Sequence, residues 1–250
     1  MKVSVVTPSV RPEMLEIVAK CLNRQTFTEW EWLIGSPQNL FIPIDRQIGH
    51  DYEFTFVPDP PKKENIFYSL NASWNNMFKV AKGELIVSIV DGLWFPPNTL
   101  QVLWDHYERD SMSCISLTGD QFDQIENGKP EHRVWIDPRR KGPSLYEIPP
   151  HDLELCIASL PLKGIKDVGG VDEQWDKYPA WSEKDLACRM AQIGYKCFID
   201  ESVEYRAIHH PRLQGSKWDK IYPQSTEYFR KCYNEIRAGK RLKLAFLDEK

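Results

Sequence analysis

Residues 84–91 read ELIVSIVD, a near-continuous apolar run closed by a single acid. A strand with one wet face alternates polar and apolar residues. This run does not, so it belongs in a sheet covered on both faces, as parallel sheets are. Parallel neighbours cannot be joined by tight hairpins and need crossovers, usually helices. One short stretch therefore commits the chain around it to alternating strands and helices.

The preceding residues meet that demand. KVSVVTP (2–8) is a β-branched run that stops at Pro8. PEMLEIVAKCLNRQ (12–25) follows, with Met14, Val18, Cys21 and Leu22 at helical spacing and Pro12 suited to a first helical turn. EWEWLIG (29–35) and YEFTFVPD (52–59) read as the second and third strands. SLNASWNNMFKVAKGE (69–84) puts Leu70, Trp74, Met77, Phe78 and Ala81 on one helical face, with Gly83 where a C-cap would sit. Strand–crossover–strand units of this kind wind right-handed into a nucleotide-type half-domain.

The second half is choppier. PPNTLQVLWDHYERD (96–110) reads as a helix. Between 112 and 160, SCISLTGD and HRVWIDP point to an antiparallel extension, and DPRRKGPSLYEIPP (137–150) to a mobile flap that orders over a bound donor. SEKDLACRMAQIG (182–194) is a helix with Leu186, Met190 and Ile193 facing inward and Gly194 as its cap. YKCFIDESVEYRAIHHP (195–211) gives one or two strands ending at a histidine pair.

Composition narrows the function classes. The 250 residues are 42% apolar and carry a net charge of −4, so no global basic field advertises a nucleic-acid partner. The charge is uneven, with ten basic residues against three acids from Arg206 to Lys243, either a solvated helix or a surface for phosphate or membrane. The six cysteines form no CxxC pair and read as reduced, buried small hydrophobes rather than a disulfide frame or a zinc site. No apolar run approaches the length of a membrane span and the N-terminus lacks a signal-peptide core, which predicts a soluble, cytoplasmic protein.

Three segments, taken in order, carry a resemblance. The first is VSVVTPSVRPEMLEIVAKCLNRQTFTEWEWLIG. The second, NASWNNMFKVAKGELIVSIVDG, has Asn75 six residues before the alanine of an Ala-x-Gly-Glu and an apolar strand ending in Asp91. The third, LKGIKDVGGVDEQWDKYPAWSEKDLACRMAQIGYK, has Gly-Gly-x-Asp-Glu and then an acidic pair opening a helix. Together they resemble the family 2 glycosyltransferases of GT-A fold. The resemblance implies an α/β protein with a Rossmann-like nucleotide-binding half (1–95), in which helices flank a mostly parallel sheet. A smaller mixed acceptor and catalytic half (96–210) and a basic helical C-terminal extension (211–250) would follow.

The same resemblance implies an inverting transferase that moves a sugar from a nucleotide-diphosphate sugar to an acceptor hydroxyl. A uridine diphosphate sugar is favoured as donor, with a guanosine diphosphate sugar as the alternative. Asp91 matches the first acid of an Asp-x-Asp motif that holds a divalent metal, Mn²⁺ or Mg²⁺, on the donor diphosphate; Leu93 stands at the second position, an outright departure. His209 or His210 would complete the metal shell, imidazole suiting Mn²⁺ better. Pro8, Ser9 and Arg11 correspond to the cradle for base and ribose. The usual acid after the second strand is missing from LIGSPQ, and Asp59 after the third strand is its candidate substitute. Asn75 matches an asparagine near the donor.

On the acceptor side, Gly169, Gly170 and Asp172 match a lining loop, and Trp175 or Trp181 would offer a stacking platform. Glu183 falls on the catalytic base, with Asp185 as fallback. The residue-level alternative for Ser182 and Asp185 is a capping box that starts the helix. The acceptor stays open among a glycan, a protein and a nucleic acid with hydroxylated bases. The rival reading is a catalytically degenerate GT-A module that binds nucleotide sugar or glycan without transfer.

Overall fold

The computed structural model describes residues 1–60, 70–142, 144–178, 180–209 and 216–244. The first half runs β1 (Val3–Pro8), α1 (Leu15–Leu22), β2 (Trp30–Ser36), α2 (Phe41–Ile44), β3 (Thr55–Pro58), α3 (Leu70–Val80), β4 (Leu85–Ile89) and β5 (Leu93–Trp94). The second half adds α4 (Thr99–Arg109), β6 (Ser113–Glu126), β7 (Lys129–Trp135), β8 (Leu145–Ile148), β9 (Ile157–Pro161), α5 (Leu162–Asp167), α6 (Ser182–Gln192), β10 (Lys196–Ile208) and α7 (Ser216–Arg237).

One sheet carries the molecule, in the order β3-β2-β1-β4-β9-β6-β10-β5. β3, β2, β1 and β4 are parallel neighbours, which is the nucleotide-type half expected from the alternation. β9 runs antiparallel between β4 and β6, and β6 and β10 are again parallel. β7 and β8 extend the sheet off β6 and β10 as the antiparallel portion. The stretch 195–208 is one strand, with a bulge between Asp200 and Glu204.

The apolar run at 84–91 behaves as its composition requires. Leu85, Val87 and Ile89 enter the core with α1 and α4, while Ile86 enters the opposite core with α3 and α6, all at 1% exposure or less. Each such side chain stabilises the fold by roughly 1.5–3 kcal/mol relative to exposure. Gly83 serves a purpose other than the expected cap. α3 ends earlier, at Val80, and a Cβ at Gly83 would lie 2.5 Å from Ser4 N on β1. Only glycine lets the two backbones pass that closely, and Gly83 N–H donates to Ser4 Oγ at 2.8 Å. All six cysteines are free, five of them buried.

The described part of the C-terminal segment is not a detached tail. α7 packs on α6, and Leu244 N–H donates to Val168 O at 3.0 Å. The described residues of 137–150, expected as a mobile flap, are tied to the sheet. Arg139 is clamped by Asp137 (2.6 Å) and Glu154 (3.3 Å), and Arg140 by Asp120 (3.0 Å) and Glu204 (2.9 Å). Glu201 accepts the backbone N–H groups of Lys141 and Gly142, and β8 then pairs with β10. The arginines of this stretch find internal partners, two of them the buried acids Asp120 and Asp137.

Candidate active site

Because β1 to β4 are parallel, their C-terminal ends open on one edge, where ligands of open α/β sheets bind. Pro8 closes β1 beside Gly35 of β2, and Ser9 N–H donates to Gly35 O at 2.9 Å. Asp91, 8% exposed, follows β4 on the same edge. Ser9 Oγ donates to Asp91 Oδ2 at 2.6 Å, and the Arg11 guanidinium forks onto the carboxylate, Nη2 on Oδ1 and Nε on Oδ2 at 3.3 Å. The structure therefore brings Asp91 to the Pro8–Arg11 turn, some eighty positions away in sequence.

A second group lies one strand along. Asp59 N–H donates to Ser36 O at 2.9 Å, and Ser73 on α3 sits against Gly35, where a Cβ would meet its Oγ at 2.2 Å. Ser36 Oγ, Ser73 Oγ and Asp59 Oδ1 are buried and lack a hydrogen-bond partner of proper geometry. Orphaned polar atoms of this kind are costly unless a ligand or water meets them. Ser36 and Ser73 were not candidates from the sequence: a serine after a strand and a serine inside a helical pattern carry no signal of their own.

Burial pushes the Asp59 carboxyl up to about 6, the nearby Ser73 hydroxyl only weakly opposing it. A carboxyl raised in the fold contributes stability that is complete below its unfolded pKa and is lost as pH rises through about 6. Asp59→Asn is therefore expected to melt above the wild-type protein at pH 7–8, by roughly 2 kcal/mol of stability or less, and level with it near pH 4. Melting curves across that range check it; an equal gap at both ends would contradict it.

Asn75 is in place but occupied. Fully buried on α3, it donates to Val171 O (2.8 Å) and Glu173 Oε1 (3.0 Å) and accepts from Val171 N–H (2.9 Å). Its amide holds the 169–173 loop. Asp172 is similarly spent, accepting from Gln174 N–H, Tyr228 Oη–H and Arg241. Gly169 and Gly170 have φ of 77° and 78°, and a Cβ at Gly169 would collide with Leu244 O at 1.6 Å. The loop turns there and the C-terminal strap lies across it.

α6 sorts the two candidate bases. The capping box does not form. The N-cap is Trp181, at φ 73°, and no side chain caps the helix. Asp185, fully buried, pairs with Arg189 (2.9 Å) and Arg241 (3.0 Å). With both oxygens held by guanidinium groups it is not available as the fallback base, and its work is structural. Glu183 differs. It is partly exposed, its Oε2 accepts from Ser182 Oγ at 3.2 Å, and burial of the carboxyl pushes its pKa up, with neighbouring Glu154 adding to the rise. The 154–156 segment beside it meets β4, where Val90 N–H donates to Cys156 O one residue before Asp91.

Trp175 has no face open to an acceptor, and Trp181 is partly covered. Trp175 is fully buried and packs edge-on to Tyr228 at 4.7 Å, and Trp181 stacks on Phe229 at 5.5 Å, so α7 covers both. Single-sequence reading gave no sign that the C-terminal helix would seat here.

The divalent ion that the resemblance implies meets a thin donor set. Leu93 at the second acid position is buried at 3% and paired with Ala207. Ile208 N–H donates to Gly92 O at 3.0 Å, a register that places His209 opposite Asp91, yet its ring bonds Gln121 at 2.9 Å. His210 lies outside the described residues. Among the described residues no three His, Cys, Asp or Glu side chains gather to hold a metal ion. Asp91 already accepts from Ser9 and Arg11, and no second carboxylate joins it, so the described residues by themselves do not make up a divalent-cation site. A concavity of about 950 Å³ lined by Trp30, Tyr52 and Phe54 lies at the other end of β2 and β3, away from these groups.

The sheet order and this edge define the class of fold. The chain has the GT-A-type glycosyltransferase fold. No family model and no curated protein matches its sequence. Among solved structures it is similar to S. aureus TarS, at TM-score 0.62 and 11% identity over 96% of this chain and 43% of that one. It is also similar to GalNAc-T7 in complex with UDP, GalNAc and Mn²⁺, at TM-score 0.64 and 14% identity over 94% of this chain and 50% of that one. For TarS 1–349 in complex with UDP the TM-score is 0.58 and the identity 13%, over 92% and 72%. The chain thus spans about half the length of GalNAc-T7 and less than half of TarS. No helix among the described residues is long and apolar enough to cross a membrane.

Proposed function

We propose that this protein transfers a sugar from a nucleotide-diphosphate sugar to an acceptor hydroxyl, in one inverting displacement with Glu183 as general base. The observation that carries the reading is Glu183 itself. It is a partly exposed carboxylate, paired with no guanidinium among the described residues, beside the segment that adjoins the Ser9–Arg11–Asp91 edge. The acceptor oxygen gives its proton to the Glu183 carboxylate and bonds to the anomeric carbon from one face. The bond from that carbon to the phosphate oxygen breaks on the other face, and its electrons leave with the nucleoside diphosphate. A raised pKa suits the role, since a base nearer to neutral captures the proton more readily.

The Ser36–Asp59–Ser73 group, with its orphaned polar atoms, supports a seat for base or ribose on the same edge, and UDP is the favoured nucleotide with GDP as the alternative. Both crystallised neighbours that carry a nucleotide carry UDP. Mn²⁺ is present in the GalNAc-T7 structure; among the described residues here no three His, Cys, Asp or Glu side chains gather to hold such an ion, and no step is assigned to one. The acceptor class, glycan, protein or nucleic acid, stays open. The described arginines of 137–142 are turned onto internal acids, which removes one support for a nucleic-acid acceptor. Leu93 favours a second reading, binding without transfer.

Thermal shift with nucleotides tests the binding half of the proposal. UDP or GDP at a hundred times its dissociation constant stabilises by roughly 2.7 kcal/mol, a rise in Tm of about 5–10 °C for a chain of this size. No shift with either nucleotide, or an equal shift with ATP, would count against the assignment.

A further inference from the structure

A diphosphate needs positive charge where it binds, and the divalent donor set is absent among the described residues. Among the described residues, Arg11 places a cation at this ligand edge, on Asp91. Resting on the nucleotide-sugar reading above, we propose that Arg11, held in place by Asp91 and Ser9, is the group that grips the donor's diphosphate, and that donor binding is independent of divalent ions.

Three observations carry this. First, Asp91 is used up as a metal ligand but well used as an orienter. Arg11 Nη2 and Nε meet its two oxygens, and Ser9 Oγ adds a third bond. Second, the backbone beneath is fixed, because Arg11 N–H donates to Ser9 Oγ at 3.0 Å and Ser9 N–H to Gly35 O. The guanidinium is therefore preorganised, which lowers the entropy lost on gripping an anion. Third, the fork is not exhausted. A guanidinium has five N–H donors in a rigid plane suited to phosphate. Asp91 takes the Nε side, and among the described residues nothing pairs with Nη1, on a side chain that is still 32% exposed. Leu93 fits the same scheme. With a guanidinium holding the charge, the second acid of an Asp-x-Asp pair has no cation to bind, and an apolar residue can pack there at 3% exposure.

Calorimetry of UDP and GDP binding to the full chain, in EDTA and in Mn²⁺, tests the proposal with wild type, Arg11→Gln, Arg11→Lys and Asp91→Asn. Wild type should bind one of the nucleotides with the same Kd, within about twofold, in both buffers. Arg11→Gln should raise that Kd roughly 10- to 100-fold in both, the scale of a lost charge-assisted hydrogen-bond pair. Arg11→Lys, which keeps the charge and loses the fork, should fall between and guards against a glutamine variant that fails to fold. Asp91→Asn should weaken binding in EDTA as well as in Mn²⁺, because it acts through Arg11. Binding more than tenfold weaker in EDTA than in Mn²⁺ overturns the proposal and leaves the transferase reading standing. So does wild-type affinity in both Arg11 variants. No binding of either nucleotide by wild type, with or without Mn²⁺, overturns both.

Discussion

Glu183→Gln is expected to cut turnover by roughly 10²–10⁴-fold while leaving nucleotide affinity unchanged. The amide keeps the side chain's shape and its place in the first turn of α6 but cannot take the acceptor's proton. Stability should hold or rise slightly. Burial holds the Glu183 carboxyl above its ordinary range, so the ionised form costs stability at neutral pH and glutamine removes that cost. The same shift sets the pH profile of the wild-type enzyme. The base works deprotonated, so turnover should fall as pH drops through a value above that of an ordinary carboxylate, and the variant's residual rate should lose that limb. A variant with full turnover would remove Glu183 from the mechanism.

Asp185→Asn should do the reverse, lowering stability first. Arg189 is fully buried, with its Nη groups already on the carbonyls of Val168 and Gly170 at 2.7 Å and its Nε on Asp185. Removing the carboxylate leaves Arg189 as a buried cation without its counter-charge, a loss of about 3–5 kcal/mol. For a domain of this size that is a fall in Tm of roughly 6–20 °C. The strap should loosen with it, because Arg241 bridges Asp185 and Asp172. Below the melting transition the variant should still bind nucleotide, since none of these groups touches the Ser9–Arg11–Asp91 edge. An Asp185→Asn protein that melts with the wild type and yet loses all turnover would mean that the base had been assigned to the wrong residue of α6.

What the sequence made legible, and what it hid, divides along physical lines. The run ELIVSIVD and its β-branched neighbours announced a doubly covered parallel sheet because burial on both faces leaves a local pattern. Helix spacing did the same for α1, α3 and α6. The places of Asp91 after β4 and Glu183 in the first turn of α6 were legible, because strand ends and helix starts are positions that a linear pattern can mark. Side-chain partners were not. Asp185 and Asp172 read as site acids because nothing nearby in sequence shows Arg241, more than fifty residues on, folding back between them. Trp175 and Trp181 read as a platform because their cover, α7, arrives from the far end of the chain. Arg140 read as part of a mobile loop because Asp120 and Glu204 reach it only through the fold. Ser36 and Ser73 have no signature before the fold brings their hydroxyls to Asp59.

Donor consumption is the measurement that bears most directly on transfer. Anomeric proton signals of UDP- and GDP-sugars can be followed by NMR with wild type and Glu183→Gln, alone and with glycan, peptide and hydroxymethylated DNA acceptors. An inverting transferase of this design should deplete one donor, form a product of opposite anomeric configuration, and lose that activity in the glutamine variant. Tight nucleotide-sugar binding with no donor consumed under any of these conditions, or a product of retained configuration, would contradict it.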